Sequence, residues 1–261
     1  MQISIKKVAL LVLVCTCAVL TVLVLPVAAD DDPVAPAYSN ANREIVLISP
    51  LFGWDRNELI MPGPHGQVST LRDTGAEYGL FALYANSRLD ANNFMFFCEA
   101  NGADVSGDIF FLNVYGPHED KVTWNIGVGY SWQEVDMTPL ERVRVYAPMG
   151  KAGLLLRFPE WHLSFNPYVA PEREKVTTLH GDVTSDYMLY GLTAKWNWRM
   201  LQATIKYYYQ DDVHSSEHFN TIQCRLYVFL NEHWSVVGRF ERMEHSVTTD
   251  TSYLIGPAYV F

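Results

Sequence analysis

His162-Leu163-Ser164 sets a base and a nucleophile two positions apart. On an extended strand, residues i and i+2 share a face, so imidazole and hydroxyl would lie side by side. In that arrangement His can take the Ser proton while a third polar group orients the ring. A second set is cationic. Arg157, Lys195, Lys206, Arg225 and Arg239 recur inside alternating apolar segments, with Glu99 and Glu241 among the opposing charges. Basic side chains around one enclosed space would concentrate anions and lower their barrier to passage. The remaining histidines, His65, His118, His180, His214, His218, His233 and His245, fall in predicted turns and loops without metal-ligand spacing. His214 and His218 with Asp211 and Asp212 could hold a metal ion, but a solvated polar loop accounts for them as well. No phosphate-binding glycine loop or paired-cysteine motif is present, and no cofactor is expected.

The elements that must carry these residues are strands. In Val122 to Trp132 every even position is apolar or aromatic and every odd one is small or polar. Successive strand side chains point to opposite faces, so this segment has one greasy side and one wet side. The same alternation runs through 188–197, 201–209, 222–230 and 234–241. Segments of about ten residues match a tilted strand crossing the apolar core of a bilayer. Periodicity alone allows two readings: a membrane barrel with greasy faces outward, or a soluble ligand-binding β-barrel of the periplasm with greasy faces inward.

Short links at Arg88–Asn92, Gly116–Asp120, Phe158–Glu160, Trp198–Arg199 and Asn231–His233 alternate with longer ones at Gln133–Val143, Pro171–Asp186 and Gln210–His218. Asn101–Val105 and His245–Asp250 are the short exceptions. Tight turns alternating with external loops favour the membrane reading, as do aromatic residues at strand ends (Trp124, Trp132, Trp161, Trp196, Trp198, Trp234, Tyr253). About eleven strands fit between Gly75 and Phe261. A closed barrel needs an even number, so Arg43–Ser49 is expected to supply another, followed by an external loop through Trp54 to Thr74. The fold expected is all-β: a closed, antiparallel, up-and-down transmembrane barrel of about twelve strands over 43–261. Tyr78–Ala85 fits least well, because Phe81 and Leu83 would face the wet side.

Before the barrel, Lys6 and Lys7 precede an apolar run from Val8 to Val27, and Val27-Ala28-Ala29 offers small residues for a signal peptidase. That is a secretory signal over 1–29, although the long run also fits an uncleaved anchor. Residues 30–42, rich in Asp, Pro and Ala, read as a flexible lead-in. The chain has a formal charge of −10, which falls to about −12 without the two signal lysines. So acidic a chain is a poor nucleic-acid binder. Cys98 and Cys224 could pair in an oxidising compartment, but read better as two unpaired apolar residues.

The last segment ends Tyr253-Leu254-Ile255-Gly256-Pro257-Ala258-Tyr259-Val260-Phe261. It resembles the closing strand of bacterial outer-membrane β-barrel proteins, where a terminal aromatic residue with apolar residues at alternate positions is read by the barrel-assembly machinery. Phe261, Tyr259, Ile255 and Tyr253 carry the match. Pro257 departs from it and lacks the N–H of a paired strand, so a bulge is expected there. The resemblance implies a porin-like outer-membrane location, contact with membrane lipid and lipopolysaccharide, and a passive channel or a structural barrel. With the basic lining it implies anion preference and small anionic solutes; families of about this strand number that pass acidic oligosaccharides are similar in lumen polarity. His162 and Ser164 are similar to the pair of outer-membrane phospholipases and lipid A deacylases. In those enzymes the pair faces lipid and the third group lies about twelve residues on, where this chain has Val176.

Overall fold

The computed structural model describes residues 45–62, 68–86, 88–100, 103–117, 120–138 and 141–261. The expected signal (1–29), the lead-in (30–42) and the first two residues of the expected first strand lie outside them. Twelve strands follow one another: β1 (Ile45–Pro62), β2 (Val68–Ala85), β3 (Leu89–Ala100), β4 (Ala103–Tyr115), β5 (Val122–Thr138), β6 (Glu141–Phe158), β7 (Leu163–Thr178), β8 (Gly181–Trp198), β9 (Leu201–Asp212), β10 (His218–Phe229), β11 (Trp234–Glu244) and β12 (Thr248–Val260). Each pairs antiparallel with its sequence neighbours, and β1 pairs with β12, closing an all-antiparallel barrel. The segment beginning at Ile45 is therefore the strand that parity required.

The direction of the greasy faces is unambiguous. On β5, Trp124, Ile126, Val128 and Tyr130 point outward, with Ile126 52 % and Val128 55 % exposed, while Asn125 between them is fully buried in the interior. A soluble barrel would reverse this, because an apolar belt left in water forfeits its burial energy. The barrel is transmembrane. Rings gather at two levels of its outer surface. Trp124, Trp161, Trp198, Trp234 and Phe261 lie near the lower rim, where β1 starts and β12 ends, and Trp54, Tyr78 and Tyr253 lie higher. Tyr253 to Phe261 covers about 26 Å of strand, or roughly 20 Å along the axis at a tilt of about 40°. That is close to the apolar band of such barrels.

Three expectations are corrected. The long external loops are mostly wall. β1 runs to Pro62 and β2 resumes at Val68, β5 and β6 are joined through 139–140, and β7 and β8 through 179–180. Residues that read as polar loop instead alternate as strand: Arg142 pairs with Asp136 at 2.7 Å, Arg144 with Glu134 at 2.8 Å and Arg173 with Asp186 at 2.7 Å. Strands of 18 residues reach about 60 Å, so even when tilted they rise well above the membrane as a charged collar. Second, the inner face is not uniformly wet. Leu47, Leu51, Phe81, Phe94, Tyr227, Phe229, Val237 and Leu254 form a buried cluster inside the bore, with Leu83 packed against it. Phe81 and Leu83 do face inward, and they are satisfied there by apolar neighbours. Third, Pro257 makes no bulge. Its strand keeps constant register with β11. Across the β1–β12 seam Ile48 still meets Tyr259 and Phe52 still meets Ile255, but no pairing is made between them. Constant register puts Pro50 opposite Pro257, and neither can donate to the ladder. Ser49 Oγ donates to the Pro257 carbonyl at 2.8 Å instead.

The turns are held by short side chains. Asn86 Oδ1 accepts the N–H groups of Arg88 and Leu89 at 2.9 and 2.8 Å, and Asn231 Oδ1 those of His233 and Trp234, both at 2.9 Å; such Asx turns fix tight reversals.

At the seam a Cβ on Gly256 would lie 1.7 Å from the Pro50 carbonyl oxygen, whereas one on Gly238 would meet nothing within 4 Å. Gly256→Ala is expected to cost at least about 2 kcal/mol by forcing the seam apart, and Gly238→Ala to be near neutral. Urea unfolding and the heat-dependent gel shift of the folded barrel would show the difference.

Candidate functional site

The interior holds a cavity of ≈ 600 Å³ lined by residues from all of β1 to β11. Of the lumen charges expected from strand parity, Arg157, Lys195, Lys206, Arg225, Arg239 and Glu241 line it. Glu99 does not. It alternates with buried Cys98 and stands opposite Asp104 on the outer surface. Two consecutive inward apolar residues, Phe94 and Phe96, fix the parity of β3 and put Glu99 outside. Lys151, Asp90, Glu172 and Glu174 also line the cavity, and the sequence reading missed them. Lys151 sits in a strand with little alternation, Asp90 falls in the stretch read as the short link Arg88–Asn92, and the two glutamates fall in the stretch taken for a loop.

Four cations and four rings meet at one level, the waist. Lys151 Nζ lies 4.1 Å from the Tyr168 ring centroid, Lys206 Nζ 4.6 Å from Phe111, the Arg225 guanidinium 5.0 Å from Phe81, and that of Arg239 4.2 Å from Phe94. A ring face is negative, so it holds a cation without neutralising it. β9 and β4 stand on opposite sides of the ring of strands, so the Lys206–Phe111 contact crosses the bore. Below the waist, Lys195 Nζ reaches from β8 to Asp90 on β3 at 2.7 Å, again from wall to wall. Above the waist the sign changes. Glu172 and Glu174 follow Tyr168 up β7, and Glu241 follows Arg239 up β11 with its carboxylate 2.7 Å from the Arg239 guanidinium. The lumen is thus zoned along its axis, not evenly basic.

Not every cation is neutralised. Arg239 and Lys195 have carboxylate partners, but among the described residues Lys151, Lys206 and Arg225 form no ion pair, nor do Glu172 and Glu174. Gln210 donates to Glu172 at 3.2 Å. The Nε groups of Arg225 and Arg239 are buried without a hydrogen-bond partner among the described residues.

Among the described residues His162 and Ser164 make no hydrogen bond to each other. His162 lies in the turn after a short 3-10 segment (Pro159–Trp161), with φ of 52° and its ring edge-on to Trp198. Ser164 is on β7 and lines the cavity. Since the backbone at His162 is left-handed, the two side chains do not share a strand face as the sequence suggested. The polar loop of Asp212 and His214 is held from within: the Asp212 carboxylate accepts the N–H groups of His214 and Ser215 at 2.7 and 3.0 Å. No disulfide joins Cys98 and Cys224.

Among solved structures, the chain is similar to the translocator domain of autotransporter NalP from Neisseria meningitidis, at 12 % identity and TM-score 0.53, covering 85 % of this chain and 90 % of that one. The fold the two share is the closed transmembrane β-barrel. At that identity the likeness speaks for fold alone. The transport unit of autotransporter AIDA-I from Escherichia coli aligns at 14 % identity and TM-score 0.48 over 85 % and 92 % of the two chains. The KdgM porin in complex with disordered oligogalacturonate aligns at 12 % and 0.44 over 84 % and 99 %. No protein-family model and no curated protein sequence matches the chain.

The cross-bore pair yields a stability prediction. Lys195→Met would leave the largely buried Asp90 carboxylate unpaired and is expected to cost about 3 kcal/mol. Adding Asp90→Asn should recover most of that loss, as read by urea unfolding of the barrel in lipid vesicles.

Proposed function

We propose that the chain is a narrow passive channel of a bacterial outer membrane, with anion preference set at the waist. One observation carries the reading: Lys151, Lys206 and Arg225 sit in the bore with rings beside them and, among the described residues, no carboxylate in ion-pair contact. Their charge stays available to a passing solute, and low-dielectric walls strengthen its field. The outward apolar belt and the rings that bound it support residence in lipid, beneath an outer leaflet of lipopolysaccharide. Tyr253, Ile255 and Tyr259 on β12 and Phe261 just past its end are all exposed on the outer face, which suits recognition by a barrel-assembly machinery.

A structural, non-conducting barrel is the second reading. The wall-to-wall Lys195–Asp90 pair and the apolar cluster inside the bore favour it. A lipid-hydrolase reading lacks a joined base and nucleophile, since His162 stands in an exposed turn and Ser164 in the bore.

Planar-bilayer recording separates the first two. Under a KCl gradient the reversal potential should report chloride passing several-fold more readily than potassium. The triple change Lys151→Gln, Lys206→Gln and Arg225→Gln should bring the ratio close to one. Conductance without preference would remove the anion assignment, and a silent bilayer would leave the structural barrel.

A further inference from the structure

The axial order of charge in the bore carries a statement about cargo. A purely anionic solute descending from the upper rim meets Glu172, Glu174 and Glu241 before it reaches any cation, and a purely cationic one is stopped at the waist. A molecule with a positive group above and a negative group below satisfies both levels. Resting on the channel reading, we propose that the bore binds short zwitterionic peptides, carboxylate down among Lys206, Arg225 and Arg239, ammonium up against Glu172 and Glu174.

Four observations support this. Glu172 stands four residues above Tyr168 on β7, and Tyr168 carries Lys151 at the waist. Four residues span about 13 Å of strand, or roughly 10 Å along the axis at a tilt of about 40°. An extended tripeptide separates its end charges by about the same distance. The basic level also holds unused donors. Lys206 and Arg225 line the cavity and form no ion pair among the described residues. A carboxylate arriving there would accept charge-assisted hydrogen bonds that the protein leaves unmade. At the acidic level Glu172 and Glu174 have no cation within ion-pair distance among the described residues, so an ammonium would meet two uncompensated carboxylates. The cavity of ≈ 600 Å³ has room for a ligand of this size.

The test uses the whole protein in a planar bilayer with triglycine as probe. Chloride current is recorded first, then its block by triglycine, N-acetyltriglycine and triglycine amide. The inference expects triglycine to half-block at a concentration about tenfold below that of either capped form. Glu172→Gln with Glu174→Gln should erase the advantage over the acetylated form, and Arg225→Gln with Lys206→Gln the advantage over the amide. A conducting pore blocked equally by all three peptides would overturn the inference and leave the channel standing. A folded barrel, heat-modifiable on a gel but passing no current, would overturn both. The comparison among peptides uses the unaltered protein, so it does not depend on any variant folding.

Discussion

In hydrocarbon, every backbone N–H and C=O must find its partner inside the protein, since an unmet group costs several kcal/mol and no water is at hand to take its place. For a chain of strands that leaves one solution, a sheet whose last strand pairs with its first. The rest of the molecule follows from this closure. Ring closure fixes inside and outside, and the period of two then assigns each side chain to lipid or to bore. It also brings β8 across from β3 and β9 across from β4, which allows Lys195 to reach Asp90 and Lys206 to reach Phe111.

What the bore contains depends on the same geometry. Twelve strands make a ring narrow enough for long side chains from opposite walls to touch. Burying a cation there is costly unless something compensates for lost water. Two compensations are used: a carboxylate for Lys195 below the waist, and ring faces for Lys151, Lys206 and Arg225 at the waist, where Arg239 has both a ring and Glu241. The first cancels charge and the second preserves it. This difference, more than the count of basic residues, decides where the interior can attract an ion.

The alternating segments were legible because lipid and bore demand opposite chemistry of neighbouring residues. On β5, β8, β9, β10 and β11 that contrast was strong enough to give facing and lumen charges together. Where the inner face is also apolar the contrast vanishes. That is why β1, with Leu47 and Leu51 inward, could be inferred only from parity, and β2 only with Phe81 left over. Sequence also placed the ends of strands too early. Above the membrane both faces are polar, and the stretches holding Arg142, Glu174 and Asp182 lose the signature that marked their lower halves. The rings capping the cations were out of reach, since Phe111 and Lys206 are joined by curvature of the sheet and not by any spacing along the chain. His162 and Ser164 show the converse failure. A motif two residues long was readable, but one left-handed residue takes His162 off the strand.

Pro50 facing Pro257 has a further consequence. Along most of the wall, neighbouring strands are laced by an uninterrupted ladder, but at the closing edge Ser49 supplies a single side-chain tie where several amide links would otherwise run. The cylinder therefore has a grain, like a stave vessel with two lightly hooped joints, this one and the boundary of β6 with β7, where the pairing also breaks. Sideways strain in the bilayer falls first on the joints with the fewest ties.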